Sequence, residues 1–306
     1  MPALFLLAGG CATIPDSAVE IPTNAAAVEL DETPFFPQER YQCGPAALTT
    51  VLTTSGVDVA LEDIVNKVYL PGRKGSLQSE LMAATRTEGR LPYVIDGTLA
   101  AILRELEVGR PVLVLQNLGV AAIPRWHYAV VVGMNPERGE VILRSGTDGR
   151  RVTASKTFVR TWQRGDYWAM VALRPDEIPV SADRERYFTA IAALEQTGQL
   201  ETAAMAWRAA EQAWPGDVVV LFGVANVHLA SGDFIEAESA YRTVLAQDES
   251  LLVARNNLAL ALAEQGEFDA AIEEIGIALA RNHDPALEPE LRDTEMTIQS
   301  MLESNE

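Results

Sequence analysis

The chain has 306 residues, 43 of them acidic and 24 basic, for a net charge of −19. With 48% hydrophobic and 22% charged residues it carries enough apolar material for buried cores and is excluded from the disordered class. The acidic balance excludes a non-specific nucleic-acid binder, which needs an excess of Lys and Arg to neutralise phosphates. Two cysteines, Cys11 and Cys43, rule out a disulfide framework. Three scattered histidines, His127, His228 and His283, offer no multi-ligand metal site, so neither metal nor cofactor is expected. Residues 179–306 hold 23 acidic and 7 basic side chains, whereas the remainder is nearly neutral. A split of that size points to two modules with different surfaces, in keeping with a length that favours two domains.

Residues 1–11 read as an address. The uncharged apolar run Met1–Gly10 is too short to span a bilayer and ends in small residues, as a secretory signal does near its cleavage site. Leu7-Ala8-Gly9-Gly10-Cys11 resembles a bacterial lipobox, which implies lipidation at Cys11, an acyl anchor and otherwise no insertion of the protein. Ala12 after that Cys lacks the Asp of an inner-membrane retention signal. The expected location is therefore the cell envelope, at the outer membrane facing the periplasm. Residues 12–33, with Pro15, Pro22 and many Ala, read as a tether.

The chemistry-bearing residues lie in 34–173. A Pro-punctuated segment runs into Gln38-Glu39-Arg40-Tyr41-Gln42-Cys43-Gly44-Pro45, and the apolar pattern Ala46, Ala47, Leu48, Val51, Leu52 then begins a helix. Pro45 fits a first helical turn. Cys43 thus falls at a helix N-terminus, where unpaired N–H groups and the dipole favour a thiolate. Residues 69–75 read as a loop and Ser76 as the cap of a following helix, bordering a cleft or serving as a plain turn. Three apolar strands follow, at 109–117, 126–133 and 140–145, and His127 opens the second. Trp162 and Trp168 are expected to pack on that sheet.

Gln38, Cys43-Gly44-Pro45 and His127-Tyr128-Ala129-Val130-Val131-Val132-Gly133 together resemble the C39-type cysteine peptidases over residues 34–173. The resemblance implies an α+β papain-like fold, with Cys43 as nucleophile and His127 as general base and then acid. It also implies that the Gln38 side-chain amide donates to the oxyanion; Gln42 is the alternative. Cys is a strong nucleophile at neutral pH, and an imidazole partner activates it. In C39 peptidases an Asp-Pro follows the His strand; here that place reads Leu143-Arg144-Ser145-Gly146. Asn117, Asn135, Ser145 and Asp148 remain open as the residue that orients the imidazole.

Residues 174–183 read as a linker to 184–306, where a 34-residue period is visible. Gly198, Gly232 and Gly266 recur, each followed five residues later by Ala203, Ala237 and Ala271, and after four more by Trp207, Tyr241 and Ile275. This resembles the tetratricopeptide repeats: three helix–turn–helix units with a capping helix over 286–303, an all-α second domain. By fold analogy such a stack offers a concave surface for a protein partner. The combined reading is an exported, lipid-anchored cysteine peptidase acting on a peptide or protein substrate, with repeats that recruit substrate or partner. The alternatives are a catalytically inactive C39-like adaptor working through its repeats, or another Cys/His acyl transfer such as transglutamination or amide hydrolysis. Nucleic acid is not an expected partner.

Overall fold

The computed structural model describes residues 25–38, 42–120 and 122–305. Cys11, the expected signal and the first half of the expected tether lie outside the described residues. The chain divides into two compact units, one running to Arg174 and including Pro179–Ala190, the other comprising Pro175–Ile178 and everything from Ile191.

The first unit contains seven strands and five complete helices, in the order β1 (Val28–Glu29), α1 (Cys43–Thr54), α2 (Leu61–Val68), α3 (Gln78–Thr87), β2 (Leu91–Val94), α4 (Leu99–Glu107), β3 (Val112–Asn117), β4 (Trp126–Asn135), β5 (Glu140–Ser145), β6 (Asp148–Ala154), α5 (Ser155–Gln163) and β7 (Ala169–Leu173). The strands form one antiparallel sheet ordered β2-β7-β3-β4-β5-β6, with β1 also pairing to β4. β3 and β4 are apolar almost throughout because both faces are covered. On one face Leu113, Val130, Val132 and Ile142 pack against Ala47, Leu48, Val51 and Leu52 of α1 and Leu81 of α3. Helices α4 and α5 take the other face, α5 burying Phe158, Val159 and Trp162. The buried Thr49 and Thr50 of α1 satisfy their hydroxyls on the Pro45 and Ala46 carbonyls one turn back.

Two expected boundaries differ from the structure. The tether over 12–33 ends early: Val28 and Glu29 pair with Met134 and Gly133, and Leu30 donates to Val132 O at 2.8 Å. The approach depends on Gly133, where a Cβ would sit 2.8 Å from Val28 O. The segment over 174–183 is not a free linker. Val180 donates its N–H to Glu105 Oε1 at 3.0 Å, and Asp183 donates to Tyr93 Oη at 2.9 Å.

The second unit is all helical. Helix α6 (Arg184–Gln196) crosses the boundary after Ala190, and α7 (Leu200–Ala213), α8 (Val218–Ser231), α9 (Phe234–Gln247), α10 (Leu252–Glu264), α11 (Phe268–Arg281) and α12 (Glu288–Asn305) follow. Each helix pair turns at a glycine of positive φ: Gly198 at 75°, Gly232 at 79° and Gly266 at 80°. That backbone region is costly for any residue with a Cβ. Ala203, Ala237 and Ala271 are buried where helices approach, and Trp207, Tyr241 and Ile275 fill the gaps between them. α12 closes the stack with Leu291 and Ile298. Among the described residues no helix is long and apolar enough to cross a membrane.

Candidate active site

Cys43 is the first residue of α1, as the Cys-Gly-Pro spacing predicts. Gln42 occupies the N-cap position without a side-chain capping bond, so the first-turn N–H groups stay available. The turn admits only glycine after the cysteine. A Cβ on Gly44 would lie 2.7 Å from both the Cβ and the Oγ of Ser76. The helix start expected within 76–80 is present, since α3 begins at Gln78, but Leu77 rather than Ser76 takes the N-cap position and no side chain caps it. The Ser76 hydroxyl is buried against the Cys43–Gly44 turn with no hydrogen-bond partner among the described residues.

The register of the sheet sets where His127 lies relative to this turn. On β4, Tyr128, Val130 and Val132 face α1, so His127 and Ala129 face the other side. The backbone of Tyr128 connects the two. Opposite it on β3, Leu115 donates its own N–H to Trp168 O on the β7 side. The Leu115–Tyr128 pair is thus non-hydrogen-bonded, and the Tyr128 N–H points away from β3. The β4–β5 ladder begins only at Val130↔Arg144, which leaves that N–H free of the sheet. It is directed instead at the Cys43 sulfur, as are the N–H groups of Gly44 and of Cys43 itself. The sulfur therefore sits beside the His127–Tyr128 peptide, in the gap where β5 leaves β4. Among the described residues no hydrogen bond joins the sulfur to the imidazole.

Of the four candidates for orienting the imidazole, the structure brings Ser145 to it: His127 Nε2 and Ser145 Oγ are 2.8 Å apart. Ser145 ends β5, and its hydroxyl is buried. Asn117 is occupied elsewhere, its Oδ1 accepting the N–H groups of Gly119 and Arg125. Asn135 Oδ1 accepts from Arg138 in the β4–β5 turn, and Asp148 Oδ1 accepts from Arg150. In the tautomer with its proton on Nε2, the ring donates to Ser145 and leaves Nδ1 as an acceptor. Gln38 is held alongside by its N–H, which donates to Gly146 O at 3.2 Å. The segment before it is fixed by Arg144, whose guanidinium donates to the carbonyls of Asp31, Thr33 and Gly149.

The electrostatics depart from the thiolate expected at a helix N-terminus. Burial pushes the Cys43 thiol up, and this outweighs the three N–H groups that favour its anion. Burial likewise pulls His127 down to about 4, helped by the charges of Arg151 and Arg125. At neutral pH the resting pair is therefore thiol and neutral imidazole. Sequence reasoning missed Arg125 and Arg151. Arg125 stands two residues before His127 and was open to notice. Arg151 has no sequence signal, because only the β5–β6 pairing brings it near. Beyond them, Ile123 of the β3–β4 loop is 72% exposed and Trp126 at the start of β4 56%, an apolar rim.

Residues 30–169 match the Peptidase_C39 like family, and residues 228–288 match the tetratricopeptide repeat. The chain joins a C39-like domain to tetratricopeptide repeats. Among solved structures, the C39-like domain is similar to a C39-like peptidase from Bacillus anthracis at 15% identity and TM-score 0.41, over 49% of this chain and 98% of that one. A double glycine motif protease from an AMS/PCAT transporter, in complex with its leader peptide, is similar at 18% identity and TM-score 0.36, over 49% and 98%. The type III secretion chaperone SycD of Yersinia enterocolitica, in complex with a peptide of the translocator YopD, is similar at 21% identity and TM-score 0.33, over 39% and 89%. No curated protein matches the chain.

Proposed function

We propose that the chain is an exported, lipid-anchored cysteine-type peptidase whose repeats recruit a protein substrate or partner. The observation that carries this reading is the placement of Cys43 at the start of α1, beside the His127–Tyr128 peptide, with His127 Nε2 held by Ser145. His127 Nδ1 takes the thiol proton as the sulfur attacks the peptide carbonyl carbon. The oxyanion that forms is met by N–H groups at the head of α1 and by the side-chain amide of Gln38. The imidazolium then returns its proton to the leaving amine as the C–N bond breaks, giving an acyl-enzyme and a free N-terminus. Water, deprotonated by the same imidazole, hydrolyses the thioester and regenerates the thiol. Ser145 positions the ring in this scheme and takes no proton. Acylation of Cys11 would anchor the chain at the outer membrane, facing the periplasm.

The pKa directions fix the expected pH behaviour. His127 is neutral above about pH 4 and Cys43 stays protonated beyond the usual thiol range. Alkylation of resting Cys43 should therefore stay slow through neutral pH and rise only in the alkaline range. Activity is read by incubating the full chain with a peptide library and identifying fragments by mass. Cleavage is expected from the wild type and should fall at least about a thousandfold in Cys43→Ala and in His127→Ala. In the same preparations a palmitate analogue should label the chain but not a Cys11→Ser variant. Cleavage that persists in Cys43→Ala overturns the assignment. One feature favours a second reading: no carboxylate lies within hydrogen-bond distance of His127 among the described residues, as in an inactive C39-like adaptor that works through its repeats. Wild type that cleaves nothing while a partner is lost on deleting the repeats supports that adaptor.

A further inference from the structure

Building on the peptidase reading, we propose that the site selects acidic peptide substrates, with Arg125 and Arg151 receiving a substrate carboxylate beside His127. Arg125 lies two residues before His127, and its backbone N–H is fixed by Asn117 Oδ1 at 2.9 Å. Arg151 stands opposite Leu143 across the β5–β6 ladder. Leu143 lies two residues before Ser145 on the same strand, so Arg151 shares the sheet face of Ser145, whose hydroxyl meets His127. Both guanidinium charges act on the imidazole.

These two arginines contrast with their neighbours. Arg150 grips Glu29 through two bonds of 2.7 and 2.8 Å, Arg110 pairs with the buried Glu105, and Arg144 is taken up by backbone carbonyls. Neither Arg125 nor Arg151 has an ion-pair partner among the described residues, in a chain with 43 acidic side chains against 24 basic ones. The nearest carboxylate in register, Asp148 opposite Ser145, turns its Oδ1 to the Arg150 N–H. The site thus presents positive charge where a cysteine peptidase ordinarily needs negative charge to support an imidazolium.

A substrate carboxylate would change that balance. Paired with the two guanidinium groups, it offsets their charge at His127 and lets the ring accept the thiol proton. A neutral peptide in the same place leaves the imidazole opposed by two cations. Substrate charge then contributes to catalysis as well as to binding, and Ser145 need only hold the ring in place.

The test uses two alkylating probes that differ only in charge: the α-amides of N-iodoacetyl-glutamate and N-iodoacetyl-glutamine. Cys43 modification in the full chain is followed by mass spectrometry at pH 8 and low salt, and the ratio of the two rates is divided by the same ratio for N-acetylcysteine. The normalised ratio is expected to favour the acidic probe about tenfold, the order that a charge-assisted bond to a guanidinium supplies. It should fall to about one in an Arg125→Ala/Arg151→Ala double variant, recover in part with Lys at both positions, and shrink as salt is added. The neutral probe, still reacting in the double variant, checks that Cys43 remains folded and accessible. A wild-type ratio equal to that of the free thiol, or one unchanged in the double variant, overturns the carboxylate site. The ratio is read without turnover. Loss of the charge preference therefore sinks this proposal alone, and absence of His127-dependent cleavage sinks the peptidase reading alone.

Discussion

A Ser145→Asp variant is expected to alkylate with iodoacetamide at Cys43 about ten- to a thousandfold faster than the wild type at pH 7. The reactive species is the thiolate paired with imidazolium, and its population depends on the gap between the two pKa values. In the wild type that gap is unfavourable on both sides: the thiol is pushed up by burial, and His127 is pulled down to about 4 by burial and by Arg151 and Arg125. Ser145 Oγ lies 2.8 Å from Nε2, so an aspartate there places a negative charge against the ring. An opposite charge at that range raises a histidine by about one to three pKa units, and each unit multiplies the ion-pair population tenfold. Arg151 on the same face would help to hold the new carboxylate ionised in its buried position. Ser145→Asn, which keeps a hydrogen-bonding group without charge, should leave the rate within about threefold of the wild type. Equal rates for Asp and Asn would show that the ring's partner is not what keeps this pair neutral.

This expectation bears on how far the site was legible in the sequence. The positions of Cys43 and His127 in the fold were readable because each falls at an element boundary: a Cys-Gly-Pro turn opening an apolar helix, and a histidine second in an apolar strand. The repeats were legible for a similar reason, since Gly198, Gly232 and Gly266 fall where left-handed backbone is required. Protonation state was not legible. A helix N-terminus predicts a thiolate, but burial of Cys43 under its neighbours outweighs three N–H groups, and burial depends on tertiary packing. The choice of Ser145 over Asn117, Asn135 and Asp148 was also hidden, because it rests on the β4–β5 register. β6 went unread for a local reason: most of Asp148–Ala154 is solvent-exposed, and its sequence lacks an alternating apolar pattern. The first strand was lost inside an Ala-rich stretch, where two residues of pairing leave no periodicity to detect.

The repeat unit yields the second large effect. Trp207→Ala is expected to cost the helical unit about 3–5 kcal/mol, the usual range for removing a buried Trp. Trp207 is buried and its Nε1–H donates to Glu195 Oε1 at 2.8 Å, linking α7 back to the end of α6. Its ring lies directly on Gly223 of α8, where any Cβ would enter the indole. The equivalent contacts in the next repeat are made differently, with Tyr241 Oη donating to Asn226 Oδ1 at 2.7 Å, so they survive the change. In a stack held by nearest-neighbour interfaces, the loss should therefore be local. Hydrogen exchange is expected to show α7 losing protection while α10 and α11 keep theirs. The Gly223 contact supplies the stricter test. Gly223→Leu alone should destabilise by about 3 kcal/mol through overpacking against the indole. Combined with Trp207→Ala, the leucine occupies the vacated space and should restore at least about 1 kcal/mol, a coupling that independent sites do not show. Additive losses in the double variant would mean that the indole does not fill the α7–α8 seam as described.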